Sequence, residues 1–354
     1  MHGEIKTNIY TMKKKMLLRD LPGRVLWHLP SRFLIADLLG RRYNLRCVLF
    51  HDIAERPSPF TEGLWVTLCK EDLEAKIRFL AKHYNPVGLD EVLARQVSKT
   101  LARRPVLVTF DDGYASAAEH AGPICSKYGI RPVFFVNASL VGNHDLGLEN
   151  FVCFIGNTCG VKLLDRVARQ VFKCTHGELS SLEQVMSTFL PTLNLSGRER
   201  FRAQLADASG ICSRELARKA QLYVTGNQLR SLTSSGFEIG SHTYSHVHCR
   251  ALSARDFAQE IDRNKHALEA VVGRRVRSFS VPYGSAADLG EELVAHLKES
   301  GHEAAFLVES RANTSKTDLY HLNRVSVRAG SDAQFFGELE ILPRVRSIKD
   351  RLLA

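Results

Sequence analysis

The chain has 354 residues, 44% of them hydrophobic and 24% charged, with a formal net charge of +10. That composition excludes a mainly disordered chain, and the length suits one large domain or two ordinary ones. No run approaches the ~20 apolar residues of a membrane-spanning helix, which excludes a bundle of such helices.

The positive charge gathers at the start of the chain. Residues 1–46 hold ten Lys or Arg against three acids, interleaved with Leu17, Leu18, Leu21, Val25, Leu26, Trp27, Phe33 and Ile35. A basic, amphipathic N-terminal arm over residues 1–45 reads in two ways: a helical pair packed on the main domain, or a segment lying on an anionic membrane surface. No nucleic-acid motif accompanies the charge, so nucleic acid is not an expected partner. Lys13–Lys15 are followed by MLL, but Arg19 and Asp20 break the run before the apolar core of a secretory signal forms. The eight cysteines are scattered, without a C-x-x-C pair. Together these features lead to the expectation of a reducing, cytoplasmic setting, with the arm allowing a peripheral place on the inner face of the membrane.

After the arm, CVLFHDI (47–53) reads as an apolar strand ending in His51 and Asp52. A helix follows at about 70–83, with Leu73, Ile77 and Leu80 at helical spacing. VLVTF (106–110) is the next strand, then a helix over about 115–128, then the strand PVFFV (132–136). Further strands are predicted at 236–242, 277–284, 303–309 and 321–327, with helices at 253–271 and 286–300. Residues 331–354 form a last helix, over about 331–341, and a basic tail. Alternating apolar strands and helices predict an α/β fold, with parallel strands covered by helices, either closed as a barrel or open and doubly wound. In both, chemistry gathers at the carboxyl ends of the strands. His51, Asp111, Asp112, His242 and Tyr283 all lie just past predicted strand ends. Residues 143–225 break the alternation and read as several helices, an inserted subdomain or lid within a domain spanning 46–330.

Three pieces carry the chemistry: the pair Asp111-Asp112, the SHTYSH segment (241–246) and the SVPYG loop (280–284). Adjacent carboxylates disfavour each other's ionisation, so a cation between or beside them is the natural compensation. His242 and His246 stand four apart, a spacing that puts both on one face of a helical turn and lets them grip one metal. Two His and one Asp leave coordination positions open, the pattern of a hydrolytic metal site. One aspartate then serves as ligand and its neighbour as general base. Zinc suits such a donor set, and cobalt, nickel or manganese would also fit.

TFDDGY (109–114), SHTYSH and the PYG loop, in this order, resemble the NodB-homology polysaccharide deacetylases of carbohydrate esterase family 4. The likeness runs from about Cys47 to Val327, interrupted by the insertion. It implies a distorted (β/α) barrel, with Asp111 as the base and Asp112, His242 and His246 as ligands of one divalent metal. It also implies that the backbone N–H of Tyr283 faces the developing oxyanion, and that the reaction removes an N-acetyl group from an amino sugar. Many members carry an arginine shortly before PYG that orients the base; here Ser280 and Val281 occupy that neighbourhood, and the candidate replacements are Arg277, nearby, and Arg324, reaching in from another strand. With its strand-end histidine in LFHDI and its LNR ending, the chain is most similar to one branch of the family. LYH (319–321) offers His321 as the acid that protonates the leaving amine. His51, Tyr114 and Pro282 are placed against the substrate.

The expected function is therefore a metal-dependent deacetylase acting on a glycan or on a lipid-linked or nucleotide-linked precursor. Alternatives are an O-acetyl esterase or deformylase on a sugar, or an inactive sugar-binding member of the fold. The intact Asp111 argues against a pure binder.

Overall fold

The structure is a computed structural model that describes residues 25–29, 33, 44–98, 103–172 and 178–346. Most of the basic arm and the tail after 346 lie outside the described residues. Two aromatics of the arm, Trp27 and Phe33, pack on the main domain, their ring centroids 5.7 and 5.2 Å from Phe336.

The strands are β1 (Arg46–Phe50), β2 (Asp52–Ile53), β3 (Thr67–Leu68), β4 (Asn85–Pro86), β5 (Pro105–Phe110), β6 (Val133–Val136), β7 (Glu238–Ser241), β8 (Ser278–Ser280), β9 (Ala304–Leu307), β10 (Leu322–Asn323) and β11 (Val325–Ser326). The principal helices are α1 (Lys70–His83), α2 (Leu89–Ser98), α3 (Gly122–Lys127), α4 (Leu148–Cys159), α5 (Val161–Phe172), α6 (Leu195–Ser209), α7 (Ser213–Ala220), α8 (Gly226–Ser234), α9 (Arg263–Val272) and α10 (Glu291–Glu299). β2 and β3 form a small parallel sheet of their own; the other strands also pair in parallel, in the order β10-β9-β8-β7-β6-β5-β1-β11, with β4 beside β5. The two edges of that sheet belong to one stretch of chain. Residues 322–323 pair with β9, residues 325–326 pair with β1, and Arg324 stands between them. This single segment draws the edges together into a nearly closed, distorted barrel.

Side chains alternate in and out along each strand. Val48, Phe50, Val106, Val108, Phe110, Phe134 and Val136 face the surrounding helices, whereas Cys47, Leu107, Val133, Phe135, Phe306 and Leu322 fill the barrel interior. Gly240 is required by this packing: a Cβ there would lie 2.3 Å from the Phe135 ring. The same alternation continues past the last apolar layer and decides which polar residues face inward. Leu107, Thr109 and Asp111 form one such series, and Cys47, Leu49 and His51 another.

The helices of the insertion, α4 to α7, share a continuous apolar core with the outer face of β5 and β6 through Phe151, Ile155, Leu164, Phe189 and Phe201. The insertion is also tied to the barrel by backbone bonds: Ala115 N–H to Leu222 O (3.0 Å), Val224 N–H to Gly113 O (2.9 Å) and Gly142 N–H to Val224 O (2.9 Å). It forms a fixed wall over the carboxyl ends of the strands.

Candidate metal-dependent active site

The adjacent aspartates part company at the end of β5. Asp111 keeps the inward direction of the strand and is 2% exposed. Asp112 turns away in the left-handed region (φ 70°), followed by Gly113 (φ 65°), and so reaches a different neighbourhood from the same strand end.

Asp111 meets Arg324. Nη1 of Arg324 donates to Asp111 Oδ1 at 2.7 Å and Nη2 to Oδ2 at 2.8 Å, a bidentate pair. Nη2 also donates to Ser280 Oγ (2.7 Å), and the Ser280 hydroxyl donates to Asp111 Oδ2 (2.9 Å). Arg324 is fully buried, its guanidinium 5.4 and 5.9 Å from the rings of Phe135 and Phe306. Burial alone would raise the Asp111 pKa; the Arg324 charge and the nearby His242 outweigh it and hold the carboxyl below its ordinary value. Arg324 thus supplies the charge that residues 280 and 281 lack. Arg277, the other replacement, pairs instead with Asp90 (2.6 Å) and Glu238 (3.2 Å), at the far end of β7 and β8.

Asp112, His242 and His246 converge, with their ligand atoms all within 4.8 Å of one another. Both imidazoles present Nε2 to the same carboxylate oxygen, each 3.3 Å from Asp112 Oδ1. The contact of His242 Nδ1 with the Ser280 carbonyl, 2.7 Å away, makes Nδ1 the protonated nitrogen and leaves a lone pair on Nε2. The histidines do not share a helical turn, as their spacing predicts. Residues 242–248 form a loop in which Thr243 (φ 59°) and His246 (φ 58°) adopt left-handed backbone, and that reversal aims the second imidazole at Asp112. The Asn137 amide fastens the loop by donating to the carbonyls of His242 and Thr243. An anionic oxygen and two imidazole nitrogens that converge on one point form a donor set that fits a divalent cation. Burial alone would raise the Asp112 pKa, but His246 and His242 hold it far below the ordinary range.

The Asp112–His242–His246 cluster and Asp111 form the floor of a cleft of about 480 Å³ that is also lined by His51, Tyr114, Glu149, Asn150, Trp65, Met186, Tyr283 and Arg328. His51 lies on that floor, its pKa lowered by burial despite the two aspartates. Tyr283 also lines the cleft. Its backbone is left-handed (φ 62°) and, among the described residues, its N–H donates to no acceptor. Gly284 makes this turn fit, since a Cβ there would lie 2.5 Å from the Val308 nitrogen. The Tyr283 ring stacks on His248 at 3.4 Å, which gives His248 a packing role. Tyr114 lines the cleft but chiefly secures the insertion: its hydroxyl accepts from the Asn150 amide (3.0 Å), and its ring lies 6.0 Å from that of Tyr223.

Two expected positions are corrected. Pro282 is buried in the turn and does not line the cleft. His321 precedes β10, at the amino end of the parallel barrel, while the site lies at the carboxyl ends; its side chain is 46% exposed and faces Asp318 at 4.0 Å. It cannot protonate a group bound in this cleft.

Several site residues escape a reading of the sequence. Glu149 and Arg198, from α4 and α6, pair at 2.8 Å beside His246, and Trp65 comes from an irregular loop. Acidic and basic residues are common along the inserted helices, so nothing local marks these two.

A profile of the family described as polysaccharide deacetylase matches residues 98–305. YxkH of Bacillus subtilis (strain 168), which bears a polysaccharide deacetylase name, is 20% identical over 300 residues, covering 83% of this chain and 75% of its own. Among solved structures, the Streptococcus pyogenes deacetylase PplD in complex with acetate superposes with a TM-score of 0.56 at 12% identity, over 84% of this chain and 98% of that one. IcaB from Ammonifex degensii gives 0.52 at 18% identity, over 84% and 97%. A de-N-acetylase from Aggregatibacter actinomycetemcomitans gives 0.52 at 17% identity, over 83% and 99%. At these identities the structural likeness speaks for the fold.

Proposed function

Because this chain belongs to the polysaccharide deacetylase family, hydrolases that act on amide bonds of carbohydrates, we propose that it is a metal-dependent de-N-acetylase of an amino sugar. The observation that carries this reading is the pairing of a three-ligand cluster with a separate, arginine-held carboxylate on one cleft floor. Asp112, His242 and His246 would hold the ion, which supplies Lewis acidity and eases deprotonation of water. Asp111 needs no share in binding it. With both oxygens fixed by Arg324, it stays ionised and aimed into the cleft, and takes the proton of the attacking water. The Tyr283 N–H donates to the oxygen of the acetamide as negative charge develops there. With His321 away from the cleft, His51 is the imidazole outside the ligand set on the same floor, and it would pass the proton taken from the water on to the leaving nitrogen.

The upper cleft suits a ring. Trp65 is 80% exposed, yet its backbone is held in the left-handed region (φ 61°), a costly conformation for a bulky residue and one that gathers at functional sites. Its free indole face at the cleft mouth offers a platform for the apolar face of a sugar. Trp65→Ala is therefore expected to raise KM about tenfold with kcat unchanged, the signature of lost uniform binding. A kcat that falls in step with kcat/KM would instead place Trp65 in the chemistry.

The direct test is acetate release from N-acetylated sugars, presented free, nucleotide-linked and lipid-linked, with and without a chelator. Release that stops on chelation and returns with zinc is the expected result. O-acetylated or N-formylated sugars as the sole substrates would transfer the same machinery to another acyl group.

A further inference from the structure

The helical insertion does more than cover the cleft. α4 carries Glu149 to a point where its carboxylate is shared among three groups. Oε1 accepts from Arg198 Nη2 at 2.8 Å and from the Tyr283 hydroxyl, and Oε2 faces His246 Nδ1 at 3.5 Å. Arg198, from α6, also donates to the carbonyls of Ser245 and His246, both at 3.3 Å. Glu149 and Arg198 are 6% and 4% exposed, so water does little to screen these contacts. The insertion therefore grips His246 twice, at its ring and at its left-handed backbone.

We infer that Glu149 is the positioning residue of the metal centre: the carboxylate that orients His246, with Arg198 as its counter-charge and backbone clamp. This rests on the metal-centre reading above. A ligand imidazole that gives Nε2 to a cation carries its proton on Nδ1, and a carboxylate facing that proton fixes the ring and strengthens the ligand. His242 obtains the same support from the Ser280 carbonyl of the barrel. His246 obtains it from the insertion, so the barrel alone holds half of the arrangement. Oε1 is already engaged by Arg198 and Tyr283, which leaves Oε2 to His246.

The test is a zinc titration of the full chain against a competing chelator, with cobalt absorption spectra of the same proteins. Glu149→Gln is expected to weaken zinc binding about ten- to a hundredfold and to alter the cobalt spectrum. Affinity within twofold of wild type and an unchanged spectrum would overturn the inference, even with a lowered melting temperature, because a purely structural ion pair predicts only the latter. Should Glu149→Gln fail to fold, Glu149→Asp keeps the charge beside Arg198 and withdraws it by one methylene. Weaker zinc binding in that folded variant supports the inference, and undiminished binding overturns it. A wild-type chain that binds no zinc would remove the metal centre and this inference with it, whereas equal affinities in wild type and variants remove the inference alone.

Discussion

Asp111→Asn is expected to lower kcat about 10²–10⁴-fold while the chain still binds zinc, because the change deletes a base without touching a ligand. On that reading the two duties are separate: Asp112 lies 3.3 Å from both histidines, while Asp111 pairs with Arg324 and Ser280 and comes no nearer than 3.8 Å to His242 Nε2. An amide retains an acceptor for Arg324 but loses the negative charge that balances a buried guanidinium. Some loss of stability should accompany the loss of activity, so assays belong well below the variant's melting temperature. Steady-state acetate release and elemental analysis on one preparation decide the matter. Loss of zinc along with activity would show Asp111 to be a ligand and would undo this division.

Arg324→Met is expected to be the most damaging single change to stability, by about 3–5 kcal/mol, because it strands a buried carboxylate without its partner. The side chain occupies the barrel interior between Phe135 and Phe306, at the junction where β10 and β11 close the sheet. Methionine replaces most of the volume, so the cost is electrostatic rather than a cavity. Arg324→Lys restores the charge but not the two-pronged grip on Asp111. It should recover much of the stability and little of the turnover, since the base would be paired but no longer aimed. Denaturant melts and kcat on both variants read these effects, and a Lys variant with wild-type turnover would show that charge alone suffices.

Much of the site was written in local sequence. Asp111 and His242 follow directly on strands, with Asp112 and Tyr283 shortly beyond, and strand alternation carries its direction into Asp111. Such signals span a few residues and survive without knowledge of the fold. The H-x3-H spacing was informative about which histidines converge and misleading about their support, because the same letters serve a helical turn or a loop reversed at Thr243 and His246. His321 shows the limit from the other side: LYH fits by letters, but the position relative to a strand, before or after it, decides which end of the barrel a residue occupies.

Pattern alone indicated parallel strands alternating with helices and put Asp111, Asp112 and His242 at strand ends; the resemblance to a family supplied the barrel and the expected division between base and ligands. Only the tertiary structure decided between Arg277 and Arg324, excluded His321, and brought Glu149 and Arg198 from the inserted helices to His246. The physical reason is distance along the chain. Asp111 and Arg324 are separated by more than two hundred residues, and Glu149 and His246 by nearly one hundred. What joins each pair is the closure of the sheet at residues 322–326, or the apolar core beneath the insertion, and neither leaves a mark in any short stretch of sequence.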